Sequence, residues 1–127
     1  MRLLVCGGPA ARGSGIGREA VFQVLDFLTD HEDVEMLLHR GAGGSEAFAE
    51  DWAREHEIAS LRLPAQWKRR GPRAGAIRDV QLLHLKPDLL VLLPQADATD
   101  ALLARAKQAG VMVARANERG EVTIEGL

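Results

Sequence analysis

The segment Asp88-Leu89-Leu90-Val91-Leu92-Leu93 is apolar from its second residue to its end at Pro94. A strand with one wet face alternates apolar and polar residues. A strand without alternation is covered on both sides. Leu3-Leu4-Val5-Cys6, closed by Gly7-Gly8, has the same character. Two such strands demand a sheet held between layers of helix, and the intervening sequence supplies the helices. Val21, Val24, Leu25 and Leu28 fall on one face of a helix expected from about Arg18 to Asp30. Ala49, Trp52, Ala53 and His56 form the inward stripe of a second, with Ser45 as its N-cap. A third is expected from about Ala74 to Leu85. A fourth spans about Ala98 to Ala109, with Leu102, Leu103, Ala106 and Ala109 inward, and Gly110 ends it. Val34–His39, Ile58–Leu63 and Val111–Ala114 read as further strands, and Glu121–Ile124 as an extra C-terminal one after a turn. Ala65–Arg73 has no periodic pattern and reads as loop. The expectation is a Rossmann-like three-layer α/β/α fold with a mostly parallel sheet of about five strands, forming one domain over 1–127.

Composition narrows the functions. The chain has 127 residues and a formal net charge of -2, from 16 Lys+Arg against 18 Asp+Glu. That balance argues against a generally basic nucleic-acid binder. With a single cysteine, Cys6, there is no intrachain disulfide and no Cys-rich zinc site. With no tyrosine, every mechanism that needs a tyrosine acid or base is excluded. His31, His39, His56 and His84 lack metal-ligand spacing; only His39, at a strand end, is expected near the site edge. Nothing reads as a transmembrane helix or signal peptide, so the chain is expected to be complete, soluble and cytoplasmic.

In folds of this class ligands bind at the C-terminal ends of strands, near the point where strand order reverses. Four loops lie there. The first, Gly7 to Gly17, contains Arg12 and enough glycine for a phosphate to approach backbone N–H groups. It matches neither the P-loop, because Ser14 stands where Lys is needed, nor the dinucleotide fingerprint, because Arg18 stands where the third glycine is needed. The second, Arg40-Gly41-Ala42-Gly43-Gly44-Ser45-Glu46, joins a strand end to a helix start. Glu46 there is either a first-turn carboxylate or an acceptor for a ribose or base. The third carries the charge signal. Between Ile58 and Arg78 there is no acidic residue, while Arg62, Lys68, Arg69, Arg70, Arg73 and Arg78 all fall inside. Trp67 offers a ring for stacking, or else tucks against the core. Arg73 and Arg78, around a turn at Gly75, are the better anion ligands, since guanidinium matches phosphate oxygens. In the fourth loop, Asp97 and Thr99 read as N-cap chemistry.

Taken in order, these residues resemble a known family. Val5-Cys6-Gly7-Gly8 is followed by Gly41-Ala42-x-Gly44 and a helix with Ala49-Glu50-x-Trp52-Ala53. Then come Pro64-Ala65-x-Trp67 and Gly71-x-x-Ala74-Gly75-x-Ile77-Arg78. The pattern looks like the YspA-type (cpYpsA-related) branch of the SLOG superfamily. That Rossmann-like group includes the lysine-decarboxylase-like cytokinin-activating (LOG) enzymes and DNA-processing protein A. The resemblance implies a site for a nucleotide or nucleotide-derived ligand, with Gly7, Gly8, Gly41, Gly44, Gly75 and Arg78 around it. The sequence also departs from the pattern. Gly43 stands where the family usually has Arg, Ser45-Glu46 where it has Ala-Asp, and Asp79 where Asn is common. The Gly-Gly-x-Gly-Thr loop appears as Gln95-Ala96-Asp97-Ala98-Thr99, keeping only Thr99. Leu102 stands where hydrolase relatives carry glutamate.

Three functions compete. The first is a binding module or sensor that holds a nucleotide-derived anion through Gly7, Gly8, Arg12, Gly41, Gly44, Ser45, Glu46, Trp67, Arg73, Gly75, Arg78 and Thr99. The second is a nucleotide N-glycoside hydrolase with Glu46 as acid/base. The third is nucleic-acid binding through the 62–78 segment. No metal and no cofactor beyond a nucleotide-type ligand is implied. A homodimer is compatible with the resemblance, since relatives pair through helices.

Overall fold

The computed structural model describes residues 1–8, 16–96 and 98–125. Six strands form one sheet: β1 (Arg2–Cys6), β2 (Met36–His39), β3 (Ala59–Arg62), β4 (Leu89–Leu92), β5 (Met112–Ala116) and β6 (Val122–Glu125). Their order is β3-β2-β1-β4-β5-β6, parallel except for β6, which runs antiparallel to β5. The long helices are α1 (Arg18–Leu28), α2 (Ser45–Glu55), α4 (Ala74–His84) and α5 (Asp100–Gln108). A one-turn helix, α3 (Trp67–Arg70), and a 3₁₀ turn over Gly71–Arg73 occupy the stretch that has no periodic pattern in sequence. Four residues are too few for a repeat to register, which is why the periodicity of 65–73 predicts only loop.

The sheet sorts its side chains by parity, as a pleat requires. Leu3, Val5, Leu37, Leu89 and Val91 face α1 and α2, where Val21, Val24, Leu25, Ala49, Trp52 and Ala53 meet them. Leu4, Cys6, Leu38, Leu90 and Leu92 face the opposite layer, where Leu82 of α4 and Leu102 and Ala106 of α5 close over them. Burial on both faces is what the unalternating runs require. The fold is therefore the expected Rossmann-like α/β sandwich with an extra C-terminal strand. The edge strand β3 is exposed along its whole length, so only the middle of the sheet reads as a continuous apolar run.

Three local expectations change. The cap of α2 is Gly44, at φ 53° and ψ −127°, a conformation that side chains disfavour. Ser45 is thus the first helical residue, and its Oγ is buried without a hydrogen-bond partner. His56 and Ala109 are not inward. Each sits at a helix C-cap, where the chain turns away from the core; Ala109 is exposed, and the His56 ring lies 4.7 Å from that of Trp52. Gly75 is not a turn residue but lies in the first turn of α4.

Sheet order reverses between β1 and β4, because the chain crosses back over β1 after β3. At that point Gly8 lies directly against the turn after β4. A Cβ on Gly8 would come within 2.8 Å of Gln95 Cβ and 2.9 Å of the Gln95 carbonyl oxygen. Gln95 itself holds φ +63°, the left-handed region that glycine occupies more readily. Gly8→Ala is therefore expected to destabilise the fold by about 1–3 kcal/mol, since backbone must move. A Cβ on Gly75 meets nothing closer than 3.4 Å, so Gly75→Ala should raise stability by about 0.5–1 kcal/mol through helix propensity. Thermal melts of the two variants check the contrast.

Candidate functional site

Glu46 organises the C-terminal edge of the sheet. It projects from the first turn of α2 and is fully buried. Its Oε2 accepts from the Gly7 N–H at the end of β1 (3.1 Å) and from Arg40 Nε (3.1 Å). Arg40 Nη2 lies 3.0 Å from the same oxygen. Its Oε1 accepts from the Arg40 N–H at 2.7 Å. Arg40 in turn donates from Nη2 to the Gly7 carbonyl at 3.0 Å. One carboxylate and one guanidinium thus bind β1, β2 and α2 together where the loops diverge. Burial pushes the Glu46 carboxyl up. The His39 ring, the Arg40 guanidinium and the N–H groups of Gly7 and Arg40 outweigh it and lower the pKa to about 2.

His39 lies behind this arrangement rather than on the site edge. It is 2% exposed; the Gly41 N–H donates to its Nδ1 (3.1 Å), and its Nε2 is 3.3 Å from Glu50 Oε1. Cys6 is buried beneath, and burial raises its thiol to about 12, so it stays neutral and unreactive.

Above the Arg40–Glu46 pair opens a cleft of about 400 Å³, lined by Gly7, Arg40, Gly41, Ala42, Pro64, Ala65, Trp67 and Arg78. Residues of the first three loops meet here, together with Arg78 of α4. Trp67 is 59% exposed, so it does not tuck against the core. Its ring edge lies over Gly75, where a Cβ would sit 3.4 Å from Trp67 Cη2 and 3.8 Å from Arg78 Nη2. Indole and guanidinium are therefore neighbours across Gly75. Arg78 is aimed by the buried Asp79, whose Oδ1 accepts from Arg78 Nε at 2.8 Å. Among the described residues nothing acidic lines the cleft.

The other expected residues go elsewhere. Arg73 points to the opposite side of α4, into a groove with Ile77 and Val80. Ser45 is buried beside Gly7, and Gly44 ends loop two as the helix cap. Thr99 caps α5, its Oγ1 accepting from the Leu102 N–H at 3.1 Å. Gln95, Ala96 and Ala98 line a separate hollow of about 200 Å³ with Leu103 and Arg115. Arg12 and Asp97 lie outside the described residues. Arg40 is the cleft residue that loop-by-loop reading of the sequence passed over. Its signal was a cation at the end of an apolar strand, six residues before a carboxylate. Among the described residues no cluster of three His, Cys, Asp or Glu could hold a metal, and no described helix is long and apolar enough to cross a membrane.

Stability should follow the titration of Glu46. The folded carboxyl binds its proton less readily than the unfolded one. Its contribution, on the order of 3 kcal/mol, is thus full above about pH 4.5 and disappears as pH falls toward about 2. Glu46→Gln removes the buried carboxylate that pairs with Arg40 at 3.0 Å. It is expected to cost about 3–5 kcal/mol at neutral pH and to flatten the acid limb of a pH–stability profile measured by urea unfolding.

A family model described as the YspA, cpYpsA-related SLOG family (YAcAr) matches residues 1–70. That match spans β1 through α3 and so includes Gly7, Arg40, Gly41, Glu46 and Trp67. No curated protein and no solved structure gives a significant match. With more than half of its length matched, and with the Rossmann-like sheet in place, the chain belongs to the YspA, cpYpsA-related SLOG family.

Proposed function

We propose that this protein binds a nucleotide or nucleotide-derived anion in the cleft above Arg40, acting as a sensor or ligand-binding module. The observation that carries this reading is the pairing of Trp67 with Arg78 over a cleft floored by Arg40 and the Gly7 backbone. An exposed indole stacks a planar base, and a guanidinium held by a buried carboxylate offers its remaining N–H donors to phosphate. The cleft is at the lower end of the size range of small-molecule sites, which suits a mononucleotide-sized ligand. Family membership supports a nucleotide-related ligand.

Hydrolysis with Glu46 as acid/base is the weaker reading. A general acid needs a proton to give near neutral pH and contact with the leaving group. Glu46 is fully buried, its oxygens are engaged by Gly7 and Arg40, and its carboxyl is ionised down to about pH 2. Nucleic-acid binding is weaker too, because Arg78 and Arg73 face two different hollows rather than one continuous basic surface. Arg62 covers Gly41, Arg78 enters the cleft and Arg73 lines the far side of α4.

Thermal shift against ADP-ribose, nucleoside monophosphates and cyclic nucleotides tests the proposal. A member present at a hundred times its Kd should stabilise the fold by about 2.7 kcal/mol. Trp67→Ala, an exposed change, should leave the ligand-free Tm within about 0.5 kcal/mol-equivalent of the parent yet abolish most of the shift. No stabilisation by any member, or shifts unchanged in Trp67→Ala, would refute binding in this cleft.

A further inference from the structure

Helix α4 has two stripes. Ala74, Asp79 and Leu82 are buried toward the sheet, and Arg78 enters the cleft. On the other side Arg73, Ala76, Ile77, Val80, Gln81 and His84 follow the i, i+3, i+4, i+7, i+8, i+11 spacing of a single helical face. These residues and Arg105 of α5 enclose a groove of about 410 Å³. Its floor is Ala76, Ile77 and Val80. Its polar rim is Arg73, Gln81, His84 and Arg105, with no carboxylate among the described residues. No ion pair to Arg73, His84 or Arg105 forms among the described residues. A free helix that needed only to be wet would carry charge at Ile77 and Val80.

We infer that this α4–α5 groove docks an acidic amphipathic helix of a partner protein. The stripe from Arg73 to His84 spans about three helical turns; its apolar centre at Ala76, Ile77 and Val80 fits the apolar side of a docked helix, and the one-signed rim selects carboxylates on its flanks. A second copy placed by two-fold symmetry would set this basic rim against itself, since such an interface brings the same patch from both subunits together. A nucleic-acid backbone would meet three scattered basic side chains around a floor that offers phosphate nothing. The groove and the nucleotide-sized cleft lie on different sides of α4, so this inference does not depend on what the cleft binds.

The test uses the full chain and a fluorescein-labelled, lactam-bridged peptide of about three turns. The peptide carries Leu at i, i+3, i+4 and i+7 and Glu on both flanks, and the control has Lys for Glu. Fluorescence anisotropy should show the acidic peptide binding about tenfold or more tightly than the control. Val80→Asp and Arg105→Glu should each weaken it by about tenfold, while Trp67→Ala leaves it unchanged. Arg105→Glu changes an exposed residue and keeps the test decisive should Val80→Asp fail to fold. The inference fails if neither peptide binds, or if both bind alike. It also fails if a short DNA duplex binds instead in an Arg105-dependent way. Self-association in sedimentation that Val80→Asp abolishes would assign the groove to a second copy and likewise overturn it.

Discussion

The site depends on one buried ion pair. Glu46 and Arg40 are both withdrawn from water, and each is satisfied by the other and by the backbone of Gly7. A buried pair is seldom the cheapest source of stability, since an apolar pair of similar volume avoids the desolvation cost. What it provides is geometry. β1 and β2 are already paired in the sheet, Val5 beside His39, and the start of α2 follows β2 through the turn at Gly41–Gly44. The carboxylate sets the start of α2 against both strand ends to hydrogen-bond accuracy, and the cleft inherits that accuracy. A residue that looks like a catalytic acid in a list of loop residues is here the fastening of the site.

The layers follow from a few residues. Leu3 and Val5 on one face and Leu4 and Cys6 on the other suffice to require helices on both sides, and the sheet places them so. The boundaries of strands and helices shift by a residue or two, because end residues are decided by tertiary hydrogen bonds that local pattern does not encode. The site was legible as a set of loops but not as an arrangement. That Trp67 would stand beside Arg78 was not, because the short helix that presents it leaves no period. That Glu46 would turn inward was not either, because its partners lie on two other strands. Arg73 shows the converse: five positions from Arg78 in sequence, at the N-cap of α4, it lines the groove on the far side of that helix.

Helix α4 therefore belongs to two surfaces at once. Asp79 fixes Arg78 toward the cleft, and the next helical position, Val80, lies on the outer groove. A rigid helix cannot turn one stripe without turning the other. Any rotation that improved contact at one surface would be felt at the second, by geometry alone.

Gln95 carries a different lesson. It keeps a left-handed backbone at the reversal of the sheet, packed on Gly8, where relatives of the resembled pattern place glycine. A residue with a side chain thus holds a conformation that glycine adopts more readily. Because the Gln95 carbonyl is packed against Gly8, the point where the sheet reverses is held by close backbone contact rather than left to a loose glycine turn.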